Sequence, residues 1–382
     1  MRIRATPLNV PVRLDAAGIV KETSLSVCLV EVEAKDGQVG HGMTAITEEE
    51  VVAAALNEVV AHALAAEEDP LAHERIWERL YWLLSPRGQT GYASHAIAAL
   101  DVALWDLKGK QLGQPLWRLL GAARPRVPVY TTFGFGAYSR DELAAAAKWW
   151  VGRGHTRLKM VVGQHALARR DEPRPLEEVI AEDARRVRAV RDAVGLEVDL
   201  HVDANCSLDG FHAARLARAL EPYALSFFEE PVKDNDIGTL LALKSQTRIP
   251  LAAGQNEGLA WRFRDLIASR AIDIVQPNVV ISGGFTQCLR IAGLASAYNV
   301  PMANGGAWAH FNMHLHAGLA HGGLVEYHYP AVKVCEAIYG SLPAPLDGYL
   351  ELPLRPGLGF EPVADNVREL AKRPTSHGKG KA

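Results

Sequence analysis

The sequence predicts an α/β protein in which a closed barrel of alternating strands and helices follows a smaller α+β segment. Three observations carry this expectation. From about Val127 onward, short apolar runs alternate with amphipathic helical patterns, the signature of a parallel sheet covered by helices. There are eight such runs, enough to close a barrel. No GxGxxG follows the first run, which removes the main support for an open dinucleotide-binding sheet.

The elements justify the expectation in order. SLSVCLVEVEAKDGQVGHG reads as two strands turning at Asp36-Gly37. EEEVVAAALNEVVAHAL is an alanine-rich amphipathic helix. YASHAIAALDVALWDLKGKQLG sets Ile97, Leu100, Leu104 and Leu107 at helical spacing and is stopped by Gly113 and Pro115. The barrel runs are VPVYTTFG, TRLKMVV, LEVDLHVDAN, LSFFEEP, IPLAAGQN, DIVQPNVV, VPMANGG and LVEYH, separated by helical patterns such as PLEEVIAEDARRVRAVRDAVG and FTQCLRIAGLASAYN. The expected units are an N-terminal α+β unit over 1–122, a barrel over 123–345, and a segment over 346–382 that returns to the first unit. The basic end LAKRPTSHGKGKA reads as a frayed terminus, not a binding arm.

Composition narrows the function. Of 382 residues, 48% are hydrophobic and 22% charged, as in an ordinary globular protein. A formal net charge of −3 supplies no general attraction to nucleic acid or to an anionic membrane. Cys28, Cys206, Cys288 and Cys335 form no CxxC pair, so neither a disulfide framework nor a zinc knuckle is expected. No long uncharged apolar run occurs. The expected compartment is the reducing cytoplasm.

A barrel places its chemistry at the C-terminal ends of its strands. Those ends read Lys159, Asp203, Glu229–Glu230, Gln255, Asn278, Asn304–Gly306 and Glu326. Asp203, Glu229 and Gln255 follow one another at equal steps of 26 residues, one β/α unit each. Three adjacent strands would thus turn oxygen-bearing side chains toward one point, a ligand set suited to Mg²⁺. Taken singly, Asp203 could instead cap the next helix and Glu229 pair with a nearby cation. Lys159 precedes this set by one strand. Arg157 shares its face at period two, and like-charge repulsion would lower the lysine's pKa toward that of a general base. The alternative for Lys159 is a stem packed on the barrel rim.

These stretches resemble the enolase superfamily, in its mandelate racemase/muconate lactonizing enzyme family and mandelate racemase subgroup. The resemblance rests on IAALDVALWDLKGKQLGQPLWRLLGA at 97–122, then RLKM, VDAN, FFEEP, the glycine-led end of the fifth run, SGG at Ser282–Gly284 and VEYH, all in the family's order. It implies a modified (β/α)₇β TIM barrel with an N-terminal α+β capping domain. It also implies Mg²⁺ held by Asp203, Glu229 and Gln255, Lys159 as base beside Arg157, Glu326 hydrogen-bonding an enediolate, and Glu230 behind the ligands. Assembly as a dimer or octamer is implied too.

The chain departs from that pattern in three places. Gln255 stands where relatives carry a carboxylate; it can still ligate through its carbonyl oxygen, unless Glu257, two residues on, replaces it. A His–Asp dyad is missing, with Asn278 and the region of Gly305 at its positions. The loop NGGAWAHFNMHLHAG offers Trp308 over the site and His310 as a substitute acid, though His310, His314 and His316 could equally lie on a packed helix. Asn278 and Trp308, with Lys21 and Arg87 from the cap, are the expected substrate contacts. His165, Arg169 and Arg170 mark a long charged loop of the kind that reads substrates.

The expected function is Mg²⁺-dependent dehydration of a sugar acid, by α-proton abstraction and loss of the β-hydroxyl. An epimerase, or a cycloisomerase acting on a lactone, shares the first step. A non-catalytic relative that binds a small-molecule carboxylate is the reading from a different class.

Overall fold

The computed structural model describes residues 1–67, 69–84, 89–163 and 175–375. The N-terminal unit is an antiparallel sheet in the order β1 (Arg2–Ala16), β2 (Ile19–Glu33), β3 (Val39–Ala45). The hairpin at Asp36-Gly37 is present as expected, with Gly37 at φ 83°. β1 was not legible in the sequence, because Pro7 and Pro11 interrupt it. Both prolines are accommodated because β1 is an edge strand, where a missing N–H breaks no ladder.

Helices α1 (Glu49–Ala54), α2 (Ala61–Ala63), α3 (His73–Leu84), α4 (Tyr92–Gln111) and α5 (Leu116–Leu119) complete the unit, and a π-wound stretch, Ala55–Val60, joins the first two. The expected apolar stripe of α4 is buried, but so is nearly every other side of the helix from Ala96 to Leu107. A Cβ on Gly42 would lie 2.2 Å from Ala99 O, so glycine is what lets β3 lie against α4. Two buried aspartates fasten α4 to the rest of the chain. Asp101 accepts from Thr286 N at 3.0 Å and from its hydroxyl at 2.6 Å. Asp106 accepts from His41 N at 2.8 Å, Leu358 N at 2.7 Å and Lys110 Nζ at 2.7 Å.

The barrel strands are β4 (Arg126–Gly134), β5 (Arg157–Val161), β6 (Asp199–Asp203), β7 (Leu225–Glu229), β8 (Leu251–Ala253), β9 (Ile274–Val275) and β10 (Val325–His328). They pair in parallel in the order β10-β4-β5-β6-β7-β8-β9. The run VPMANGG forms only bridges, Val275 to Met302 and Ala303 to Leu324, which close the ring between β9 and β10. The covering helices are α6 (Arg140–Val151), α7 (Leu176–Val194), α8 (Gly210–Leu220), α9 (Ile237–Lys244), α10 (Ala260–Ala268), α11 (Gly284–Ala297), α12 (Ala309–Gly318) and α13 (Tyr329–Tyr339). β11 (Tyr349–Glu351) adds to β4 antiparallel, and α14 (Ala364–Ala371) ends the described chain.

Period-two alternation divides the strands. Leu158, Met160, Leu200, Val202, Phe228 and Leu251 face the helices and join the main core. Tyr130, Lys159, His201 and Phe227 point inward. His201 stacks on Phe227 with centroids 4.0 Å apart, and burial pushes its pKa down to about 3. All four cysteines are free, and among the described residues no helix is long and apolar enough to cross a membrane.

Candidate active site

Strand register decides which side chains meet. Across β5 and β6, Arg157 pairs with Asp199, Lys159 with His201 and Val161 with Asp203; across β6 and β7, Asp203 pairs with Glu229. Val161, Asp203 and Glu229 therefore form one layer at the C-terminal rim. Lys159 and His201 lie one layer deeper. Arg157 is deeper again, at the opposite end of the strand, where its Nε stands 3.5 Å from Asp199 Oδ2. The expectation that Arg157 tunes Lys159 is thus corrected: the two share a face, but Arg157 faces the wrong mouth of the barrel.

Lys159 is fully buried. Its Nζ lies 2.7 Å from Glu229 Oε2, 2.9 Å from Glu326 Oε1 and 3.2 Å from Asp203 Oδ2. Burial alone would lower its pKa, but Glu229, Glu326 and Asp203 together hold it well above the ordinary lysine value. A lysine tuned toward neutrality is not what the structure contains. The group on β5 that looks into the site at the carboxylate layer is Val161.

Asp203 and Gln255 line a cavity of about 610 Å³ between barrel and cap, and Glu229 is buried in register with Asp203 on the next strand. Asp203 Oδ1 accepts from Asn205 N at 2.8 Å, which orients the carboxylate. Burial pushes the Asp203 pKa up to about 6, and burial, then the charge of Asp203, raises Glu229 well above the carboxylate range. Glu229 Oε1 is buried with no partner. Gln255 donates Nε2 to Asn205 Oδ1 at 2.9 Å, leaving its carbonyl oxygen for another partner. Glu257 has no such freedom: Arg262 Nε donates to its Oε2 at 2.8 Å and Asn235 Nδ2 to its Oε1 at 3.0 Å. Gly305 leaves the space between the ligands open, since a Cβ there would lie 2.9 Å from Glu229 Oε1 and 3.1 Å from Gln255 Cβ. An orphaned buried carboxylate oxygen, a second carboxylate and an amide oxygen at three neighbouring strand ends fit Mg²⁺, a hard cation that takes oxygen ligands and keeps waters. Among the described residues a trio whose ligand atoms all lie within 4.8 Å of one another is found elsewhere, at His41, Asp106 and Glu361. There the Lys110 ammonium already bridges Asp106 and Glu361 at 2.7 and 2.5 Å.

Glu230 stands behind the ligands, accepting from Asn256 N and Asn235 Nδ2, both at 3.1 Å, at a positive φ of 41°. Glu326 lines the cavity with both oxygens engaged, Oε1 by Lys159 and Thr132 and Oε2 by Ala307 N at 2.7 Å. Burial opposes its ionisation, but Lys159 holds its pKa below the usual value. Both of its oxygens thus accept hydrogen bonds in this structure.

Several expected site residues face away. His310 donates its Nε2–H to Pro343 O at 2.9 Å and sits between Tyr327 and Phe360. Its helix is packed on all sides, as the simpler alternative held. Trp308 is buried where it starts that helix, at a positive φ of 66°, and does not line the cavity. Asn278 is a clamp: its Nδ2 reaches Gly305 O, Gly306 O and Ala307 O at 2.7, 2.9 and 3.2 Å. Lys21 does line the cavity, 3.0 Å from Glu142 Oε1. Arg87, His165, Arg169 and Arg170 lie outside the described residues.

Two histidines were missed. His328 follows Glu326 at period two on β10, and His95 comes from α4 of the cap; both line the cavity. Burial holds each near a pKa of about 4, so both are neutral at pH 7. His95 Nδ1 is 2.5 Å from Thr44 Oγ1, and His328 Nδ1 accepts from Ala331 N at 3.4 Å. The alternation along VEYH was a signal for His328. Nothing local marks His95.

This architecture matches two family models. One, the mandelate racemase/muconate lactonizing enzyme N-terminal domain, covers residues 2–121. The other, an enolase C-terminal domain-like model, covers residues 142–366. The chain belongs to the mandelate racemase/muconate lactonizing enzyme family of the enolase superfamily. Within the family it is 28% identical to the arabinonate dehydratase of Saccharolobus solfataricus, covering 92% of each chain. It is 30% identical to the 3,6-anhydro-alpha-L-galactonate cycloisomerase of Streptomyces coelicolor, over 95% of this chain and 96% of that one. The crystal structure of an L-talarate dehydratase from Polaromonas sp. JS666, complexed with Mg and L-glucarate, superposes with a TM-score of 0.80. It is 31% identical, over 96% of this chain and 97% of that one. These enolase-superfamily neighbours support the modified TIM barrel and its capping domain. Relatives of this chain thus include enzymes, among them sugar-acid dehydratases and a cycloisomerase.

Proposed function

We propose that this chain is a Mg²⁺-dependent lyase that dehydrates a sugar acid by α-proton abstraction to an enediolate. The observation that carries the reading is the buried, unpartnered Glu229 Oε1 next to Asp203 and Gln255, the two of the set that line the cavity. Those three residues would hold the metal. Bound Mg²⁺ would act as a Lewis acid toward the substrate carboxylate.

The remaining work falls to the chain's own groups. Lys159 is buried and clamped, so it takes no proton from substrate. His95 and His328 are the neutral titratable side chains that line the cavity with a ring nitrogen free of described protein partners. His328, accepting from Ala331 through Nδ1, presents Nε2–H as the donor to a leaving hydroxyl. His95, handing its Nδ1 proton to Thr44, offers Nε2 as the base. Lys21 of the cap and Tyr138 of the β4–α6 loop, whose ring lies under the lysine, meet the distal hydroxyls. Cytoplasmic location and assembly as a dimer or octamer belong to the same proposal.

The second reading, a cycloisomerase, is favoured by the cycloisomerase among the relatives. A panel of sugar acids and lactones in D₂O separates the readings. Loss of water in the product mass marks the lyase, and a rearranged product of unchanged formula marks the isomerase. Mg²⁺ binding by calorimetry without α-proton exchange in any compound would leave a carboxylate-binding protein and end both catalytic readings. In the same titration, binding should strengthen in Gln255→Glu and persist in Glu257→Gln.

A further inference from the structure

Lys159 has the geometry of a buried cation with three anionic partners and no access to the cavity. Val161 stands above it on the same strand face, in register with Asp203, and it is Val161 that lines the cavity. Two of the partners, Asp203 and Glu229, are the carboxylates assigned above to the metal. The third, Glu326, is fixed by Thr132 and by Ala307 N. Lys159 occupies Glu229 Oε2, and the other oxygen of the same carboxylate is the one left without a partner. The lysine thus turns Glu229 so that one oxygen faces the cation inside the barrel and the other the space beside Gly305 and Gln255.

The charges are informative. Asp203, Glu229 and Glu326 surround the one ammonium, and Glu230 stands behind them as a fourth buried carboxylate, so carboxylates outnumber the cation. Gln255 adds no charge. A carboxylate at position 255 would add to that excess, and so would loss of Lys159.

We propose that Lys159 is a built-in counter-ion: a positioning residue that holds Asp203 and Glu229 in place before any metal arrives and sets how tightly that metal is held. This rests on the metal site proposed above. The lysine opposes the metal's charge from below the ligand layer, so it weakens binding. In exchange, the empty ligand set does not fly apart by like-charge repulsion. Lys159 and Gln255 act in the same sense, each limiting the negative charge that an anionic substrate would meet at the loaded site.

The experiment is a calorimetric titration of MgCl₂ into wild type, Lys159→Met and the double variant Lys159→Met/Glu326→Gln, with thermal unfolding in EDTA and in Mg²⁺. Lys159→Met should bind Mg²⁺ about tenfold more tightly or better, since a unit charge is removed close to a divalent ion in a poorly screened site. It should also be less stable in EDTA and regain stability with Mg²⁺. The double variant removes one charge of each sign and should return to near wild-type affinity and metal-free stability. It also decides the matter should Lys159→Met fail to fold in EDTA. Wild-type binding with unchanged or weaker binding in Lys159→Met, and no return in the double variant, would overturn the counter-ion role and leave the metal site standing. Binding by Lys159→Met but not by wild type would support it in its strongest form. Binding by none of the three would remove the metal site and this inference with it.

Discussion

Replacing Asp203 by asparagine should make the metal-free protein more stable, not less. Asp203 is buried, and burial lifts its pKa from 3.8 to about 6, against the pull of Lys159. A shift of that size means that ionised Asp203 costs the fold about 3 kcal/mol at neutral pH. Asparagine keeps the oxygen that accepts from Asn205 N and removes the charge. The gain is smaller than that figure because the ion pair to Lys159 at 3.2 Å is lost too. A rise of roughly 4 °C in unfolding temperature in EDTA is the upper expectation for a chain of this length. Mg²⁺ should reverse the order, because a ligand at 100 times its Kd stabilises by about 2.7 kcal/mol and only wild type binds it well. The sign can be checked by pH. A folded-state pKa above the unfolded one stabilises fully below the unfolded value, and that stability is lost as pH rises through the folded one. Metal-free wild type should therefore gain on Asp203→Asn as pH falls from about 7 to about 4. Differential scanning calorimetry in EDTA and in Mg²⁺ reads all of this. An Asp203→Asn protein that melts well below wild type in EDTA, or keeps the full Mg²⁺ shift, would refute the reasoning.

Three further outcomes are expected. Thr286→Val keeps shape but strips Asp101 of a hydroxyl donor and leaves Trp105 Nε1, which donates to Thr286 at 2.9 Å, unpaired. Urea unfolding should show a loss of about 2–4 kcal/mol, since each buried polar group left unpaired costs about 1–3 kcal/mol. For His41, burial works against protonation, but hydrogen bonds to Glu31 and Glu361 outweigh it and raise its pKa. Its contribution is whole below about pH 6.5 and lost as pH rises through the raised value, so melting temperature should fall across that window in wild type and less in His41→Gln. His328→Asn and His95→Gln should each cut turnover of an identified substrate by about 10²–10⁴-fold, the range for lost proton transfer, with Mg²⁺ affinity by calorimetry unchanged.

Much of the barrel was legible because strand and helix periodicities are local. Asp203, Glu229 and Gln255 were legible for the same reason: equal spacing on neighbouring strands puts them side by side whatever the loops do. The error over Lys159 came from taking it as the last residue of its strand. The strand runs two residues further, to Val161, with Gly163 beyond it, and period two then demotes Lys159 by one layer. Arg157 was placed on the correct face and at the wrong end for the same reason. The decision between Gln255 and Glu257 needed the positions of Arg262 and Asn235, which the chain brings in from a helix and a neighbouring loop.

By itself, then, the sequence determined the alternation of elements, the cap-then-barrel order and the identity of the oxygen-bearing residues at the rim, because each depends on spacing along one chain. Tertiary structure alone decided depth and partnership. It buried Lys159 among three carboxylates, turned His310 and Trp308 into the wall, made Asn278 a loop clamp, and carried His95 across from the cap to face the barrel. Depth follows from strand register and the closure of the ring, and partnership from contacts between residues far apart in sequence. Neither is encoded by any one stretch of the chain.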